Sequence, residues 1–418
     1  MSIEQLYNLF IASTGVTTDS RKIESGAIFF ALHGASFDGN DYAVQSLEKG
    51  ASVAVIDSEE VLRNNPDYAE RLVLVEDTLL ALQMLAREHR RALAIPIIAI
   101  AGSNGKTTTK ELVSRVLAEK FEVSTTKGNL NNHIGVPLTL LAIDAETEFG
   151  VVEMGASAQG EIALLCSIAE PNYGILTNIG LSHLEGFGGK EGIRKGKGEL
   201  FDHLDKNGGR AFVPQEDATL CDMACEREDM AVEYYSRTIA EGFESNLTGD
   251  YNRYNIAAAV EVGRYFGIDD RHIAEAILSF TPNNNRSQAV KTERNSLVVD
   301  CYNANPSSME VALDNISTME AERKVLILGD MLELGQWSEE AHQNILRKAD
   351  GVADEVILVG GEFAKAYATV GKELECSYAL YPSTAEALTA LEKNPLRIAL
   401  ILLKGSRGIK LEILIEKL

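Results

Sequence analysis

The sequence predicts an α/β protein in three domains: an N-terminal α/β domain, a central P-loop ATPase-like parallel sheet and a C-terminal doubly wound, Rossmann-like domain. Apolar, β-branched runs at 95–101 and 398–403 are far too short to cross a bilayer and read as buried parallel strands. Such runs alternate with segments of helical period, the pattern of doubly wound units. The first of them ends in a glycine-rich turn that passes straight into a helix. A chain of 418 residues has room for several domains of roughly 100–200 residues each.

Composition narrows the function. The net charge of −23 argues against nucleic acid as a partner, because phosphate backbones need a basic footprint. The five cysteines are scattered and complete no zinc pattern, so they read as free thiols of a cytoplasmic protein. The first ten residues contain Glu4 and no long apolar core, which is not a signal peptide, and no membrane insertion is expected.

Residues 1–92 form the first unit. Strands are expected at 27–32, 52–56 and 71–75, and a helix at 77–91 carries Leu79, Leu82 and Leu85 toward the next strand. Asp19-Ser20-Arg21 precedes a turn. The glycine-bearing polar loop at 33–41, with Phe37, Asp38 and Gly39, is either a binding loop or a connector.

The second unit spans 93–290 and is built on Gly102-Ser103-Asn104-Gly105-Lys106-Thr107-Thr108. Strand, tight turn and helix N-terminus together suit phosphate, because loop amides and the helix dipole face the anion. Lys106 reaches the terminal phosphates and the Thr107 hydroxyl holds Mg²⁺. The loop is a short form of the P-loop, with Ile100 where the longer pattern has glycine. An ordinary strand-to-helix turn would not explain a lysine followed by three threonines. A polar loop at 125–137 lies next to it. The strand at 149–153 ends on Glu153, a carboxylate that can reach Mg²⁺ or cap a helix. His183 lies just past another strand end, as a ligand or as a structural residue. The helix at 191–204 carries Lys195, Lys197 and Glu199, which by spacing alone make a solvated face. Asn252 and Asn255 stand one turn apart at a helix start and either face one ligand or cap the helix. Arg286, in a turn-rich linker with Asn283, Asn284 and Asn285, can contact phosphate.

The third unit, 291–418, has strands at 297–302, 324–330, 356–360 and 398–403 with helices between. Its strand-end loops carry Asp300, Asp330 and Lys404, where a doubly wound sheet binds its ligands.

Over essentially its full length the chain resembles the Mur ligase family. The resemblance rests on Asp19-Ser20-Arg21, Phe37-Asp38-Gly39, the short P-loop, Glu153, His183, Lys197-Gly198-Glu199 and the Asn252–Asn255 pair. Asn40 and Tyr251 replace histidines common in the family. Tyr302-Asn303-Ala304-Asn305-Pro306, the segment at 329–335 and Lys404-Gly405-Ser406-Arg407-Gly408 point to its D-Ala-D-Ala-adding branch. The resemblance implies an ATP-dependent ligase that joins D-alanyl-D-alanine to UDP-N-acetylmuramoyl-tripeptide, acting as a monomer. It implies ATP contacts from Asn255, Arg286 and Asp300, and substrate contacts from Ser20, Arg21, Asp38, Tyr302, Asn303, Lys404 and Arg407. It also implies two Mg²⁺ ions, held by Thr107, Glu153, His183 and Lys197. Lys197 is then carbamylated, because an ammonium cannot ligate a cation and a carbamate oxygen can. Sibling ligases, of the single-amino-acid or folyl-polyglutamate type, share much of this pattern. A GTPase-type switch would want an Asn-Lys-x-Asp motif, which the sequence lacks.

Overall fold

A computed structural model of the chain describes residues 1–282 and 286–418; the asparagine turn expected at 283–285 lies outside them. Three sheets carry the architecture. The N-terminal sheet has parallel strands in the order Val16–Thr17, Ile28–Phe30, Val53–Ile56, Leu72–Leu74. The central sheet is parallel throughout, in the order Ala231–Tyr235, Arg210–Pro214, Tyr173–Leu176, Ile97–Ala101, Phe149–Glu153, Val123–Thr125. The C-terminal sheet runs Gln288–Lys291, Ser296–Asp300, Leu400–Lys404, Lys324–Gly329, Glu355–Val359, Ser377–Tyr381, and only its Gln288–Lys291 edge is antiparallel.

The strand Ile97–Ala101 explains why the central sheet is parallel and covered on both faces. All five of its residues are buried. Ile97, Ala99 and Ala101 join one apolar cluster, while Ile98 and Ile100 join another on the opposite face. Alternate side chains of a strand point to opposite faces, so an unbroken apolar run needs helices on both.

The helix Thr78–Leu93 ties the first two sheets together. Asp77 caps its start, accepting the Leu80 amide at 2.8 Å, and Ala94 ends it in the left-handed region. Near that end His89 Nε2 donates to Ile143 O at 2.8 Å and Arg90 Nε to Ala169 O at 2.9 Å, both in the central domain. The segment at 215–250, to which the sequence assigns no element, contains the helix Ala218–Cys225 and the edge strand Ala231–Tyr235. The strand Gln288–Lys291 belongs to the C-terminal sheet, so a division at residue 290 falls inside it. Its half-exposed Gln-Ala-Val-Lys sequence has no apolar run to announce it.

Candidate active site

Gly102 has φ +129°, and a Cβ there would lie 2.2 Å from Thr177 Oγ1; Gly105 has φ +82°, and its Cβ would meet Asn255 Oδ1 at 2.7 Å. Conformation and space both demand glycine. No side chain caps the helix Lys106–Ala118 that follows, so its first amides are left for an anion. The loop is braced from behind. Ser103 Oγ donates to Gly180 O at 2.8 Å, Thr177 Oγ1 to Asn104 O at 2.6 Å, and the Asn104 amide to Asn178 Oδ1 at 3.1 Å. Lys106 Nζ folds over the loop onto Gly102 O (2.8 Å) and Ser103 O (3.0 Å). Burial lowers its pKa to about 8, against the opposing pull of Glu153, and Arg286 lowers it further. Ser103, Asn104, Gly105, Lys106 and Thr108 line a cleft of about 960 Å³, which Glu153, His183 and Asn255 also face.

Glu153 is 1% exposed at the end of its strand. Its Oε2 accepts the Thr107 hydroxyl at 2.8 Å and its Oε1 the Asn131 amide at 2.8 Å. A hydroxyl beside an oriented carboxylate is the hard-oxygen set that Mg²⁺ takes. Among the described residues no cluster of three or more His, Cys, Asp or Glu forms a ready-made metal cage. A cation here would therefore draw on phosphate and water oxygens as well, as Mg²⁺ characteristically does.

Lys197 corrects the expectation of a solvated face. It is 1% exposed, with Nζ 2.9 Å from Ala156 O and 4.8 Å from the Phe187 ring centroid. Burial first, and the charge of Lys106 second, hold its pKa well below the ordinary lysine value. A neutral amine is the nucleophile that CO₂ requires, so the residue fits carbamylation and, as an ammonium, does not fit metal binding. His183 has φ +52°, and its Nδ1 lies 2.5 Å from Glu333 Oε2. Burial keeps its pKa below the ordinary value despite that carboxylate.

The far wall comes from the C-terminal domain. Asp300 and Lys404 are register partners on neighbouring strands and pair at 2.6 Å. Lys404 Nζ also lies 3.4 Å from Asn303 O. Tyr302 is held between Arg286, 4.0 Å from its ring centroid, and Arg407, at 5.2 Å. Arg407 Nη1 donates to the Tyr302 hydroxyl at 3.3 Å. Arg286 Nε is buried without a partner among the described residues, an unused cationic donor beside an anion loop. Asn305 Nδ2 donates to Asn104 Oδ1 at 2.8 Å, and the Leu181 amide to Ser307 Oγ at 2.8 Å, joining the two domains across the cleft.

Other expected residues lie elsewhere. Asp330 accepts the Glu362 and Phe363 amides at 2.9 Å each, so it anchors a helix start and does not face the cleft. Asn255 takes the Thr109 hydroxyl at 3.0 Å and donates to Asn252 Oδ1 at 2.8 Å, which braces the P-loop as well as lining the cleft. Ser20, Arg21, Asp38 and Arg407 do not line it. Arg21 pairs with Asp19 at 2.8 Å and its hydrogen bond draws the Asp19 carboxyl down to about 2. The Ser20 carbonyl accepts Lys49 Nζ at 2.8 Å, and Asp38 caps its own turn through the Asn40 amide. Asn40, where the family commonly has histidine, is buried against Asp57, with its Nδ2 donating at 2.8 Å.

Three family models match the chain in succession: the Mur ligase family catalytic domain over 13–90, the Mur ligase middle domain over 100–238 and the Mur ligase glutamate ligase domain over 285–407. A UDP-N-acetylmuramoyl-tripeptide–D-alanyl-D-alanine ligase of Bacillus subtilis is 35% identical over 97% of this chain and 93% of its own. The chain belongs to the Mur ligase family. The ligase of the same description from Escherichia coli is 31% identical over 99% of this Mur ligase and 95% of its own length. Among solved structures, MurF from Acinetobacter baumannii superposes with a TM-score of 0.84 at 28% identity, covering 99% of this chain and 98% of that one. MurF ligase from Thermotoga maritima, solved in complex with ADP, gives 0.83 at 25% identity, covering 98% and 97%.

Several residues that shape the site of this Mur ligase carry no signal in the sequence. Asn131 orients Glu153, Asn178 braces the P-loop, and Asn305 spans the domains. An isolated asparagine in a polar loop has no spacing that reveals its partner.

Proposed function

We propose that this Mur ligase joins D-alanyl-D-alanine to UDP-N-acetylmuramoyl-tripeptide at the expense of ATP, through an acyl phosphate. The observation that carries the reading is an uncapped phosphate loop with Glu153 beside it, at a cleft whose opposite wall presents Arg286, Asp300 and Lys404. The relatives' descriptions supply the substrates.

The loop amides and Lys106 hold the triphosphate of ATP, and Arg286 approaches it from the C-terminal domain. Asp300 contacts the nucleotide, and Asn255 has one amide hydrogen left for adenine. A terminal carboxylate oxygen of the tripeptide attacks the γ-phosphorus, and the bond to the bridging oxygen breaks to release ADP. The neutral amine of the dipeptide then attacks the activated carbonyl, its nitrogen sheds a proton, the carbonyl–oxygen bond to phosphate breaks, and the amide forms. When bound, Mg²⁺ offsets the repulsion between phosphate and carboxylate; Thr107 and Glu153 would hold one ion, and His183 with carbamylated Lys197 a second. For carbamylation, Lys197 Nζ adds to the carbon of CO₂ and loses a proton. Tyr302, Asn303, Lys404 and Arg407 meet the incoming dipeptide, while Ser20, Arg21 and Asp38 take the UDP end of the other substrate. Approach of the C-terminal domain excludes water, which protects the acyl phosphate from hydrolysis.

The reading places the enzyme in the cytoplasm as a monomer. Among the described residues no helix is long and apolar enough to cross a membrane. The test is phosphate release from ATP. Release should require the tripeptide nucleotide and D-Ala-D-Ala together. Equal release with single amino acids in place of the dipeptide would assign the chain to a sibling ligase.

A further inference from the structure

The segment after the strand Lys324–Gly329 is anchored at several points. Asp330 is fixed by the Glu362 and Phe363 amides, the Met331 amide donates to His342 Nε2 at 3.0 Å, and the Leu332 amide to Ser406 Oγ at 3.0 Å. From this platform Glu333 projects into the other domain. Its backbone has φ +61°, a conformation that L side chains disfavour. Its Oε2 lies 2.5 Å from His183 Nδ1, an atom closed off from solvent, but off the axis of a hydrogen bond, so that nitrogen has no hydrogen-bond partner among the described residues. His183 is itself at φ +52°, so two disfavoured backbones meet at one contact. The approach continues along the chain. The Glu185 amide donates to Glu333 O at 3.4 Å, and a Cβ on Gly335 would lie 3.1 Å from the Glu185 side chain.

We propose that Glu333 is a positioning residue for His183: the C-terminal domain's exposed carboxylate, turned onto the Nδ1–H axis, takes that proton and so presents the Nε2 lone pair to the cleft. A neutral imidazole has one lone-pair nitrogen, and the partner of its other nitrogen decides which. Metal-ligating histidines are commonly oriented by a carboxylate in this way. Here the carboxylate belongs to a different domain from the ring. The ligand is therefore set only while the domains are docked, alongside the Asn104–Asn305 and Leu181–Ser307 contacts. The inference rests on the reading of His183 as a metal ligand.

Glu333→Ala and Glu333→Gln test it, and the 62% exposure of the Glu333 side chain lets both fold. The readouts are the His183 imidazole ¹⁵N shifts in metal-free protein, and Mn²⁺ affinity by electron paramagnetic resonance with a nonhydrolysable ATP analogue. The wild type should show the Nδ1–H tautomer and the alanine variant a mixture, with its Mn²⁺ Kd raised about 10–100-fold. The glutamine variant, whose amide oxygen accepts the same proton, should recover most of both. An alanine variant with wild-type tautomer and Mn²⁺ affinity would reduce Glu333 to a domain contact, even if turnover fell. Wild-type protein that binds no Mn²⁺ would remove the metal reading of His183 instead, and the tautomer would still decide the role of Glu333.

Discussion

Lys197 lies in the protein interior with the Ala156 carbonyl and the Phe187 ring for company. An unpaired ammonium is costly there, so burial favours the neutral amine, the form that CO₂ carbamylates. Lys197→Ala should cut ligation by about 10²–10³-fold, the loss typical when a group stabilising transferring charge is removed. Lys197→Met should do the same while keeping the stem packed on Phe187 and a cooperative thermal transition. Wild-type turnover should fall in CO₂-free buffer and return with bicarbonate, and the methionine variant should not respond. Near-normal turnover in either variant would remove the second-metal role. The burial of this lysine was partly legible. Ile193, Lys197, Leu200, Phe201 and Leu204 repeat at helical spacing and are all buried. The charges at Lys195 and Glu199 hid that stripe, so a face of mixed character read as solvated.

Asn305 shows how one side chain serves an element and a site together. It forms a capping box with Ser308 at the start of the helix Pro306–Thr318, and its amide group also reaches Asn104 in the phosphate loop. Asn305→Ala should cost about 1 kcal/mol of stability, as lost caps do, measured by denaturant unfolding. It should also raise the KM for ATP. An unchanged KM would mean that the bridge to Asn104 does not hold the loop. His342 supports the neighbouring segment. Its Nδ1 donates to Ser338 O at 2.7 Å while Nε2 accepts the Met331 amide, a pairing that only the neutral ring can make. Burial keeps its pKa below its ordinary 6.5, although Ser338, Asp330 and Glu362 oppose the shift. The unfolded chain therefore binds the proton first, and stability should decline as pH falls below about 6.5. The unfolding temperature of the wild type should drop more steeply between about pH 7 and pH 5 than that of His342→Gln. Parallel slopes would show that this ring does not titrate on unfolding. At this scale the sequence was informative wherever an element was buried on both sides. Ile97–Ala101, Phe149–Glu153 and Arg210–Pro214 follow their apolar runs closely. The edge strands Ala231–Tyr235, Gln288–Lys291 and Ser377–Tyr381 are half exposed and carry no such run.

The whole molecule places a phosphate loop on one domain against strand-end charges on another, and its reactive geometry exists only where the two meet. That meeting was the least legible feature. Asn104 and Asn305 are 201 positions apart, and a polar contact between distant loops leaves no periodicity in either. The motifs around each were visible, whereas their juxtaposition needed the fold. A ligation run with the tripeptide carboxylate labelled by ¹⁸O, followed by mass spectrometry, follows each oxygen through the acyl phosphate. An acyl phosphate route should yield a UDP-N-acetylmuramoyl-pentapeptide that keeps one labelled oxygen, the other appearing in inorganic phosphate. Pentapeptide formed with no label in inorganic phosphate, or ATP hydrolysis with no pentapeptide, would contradict it.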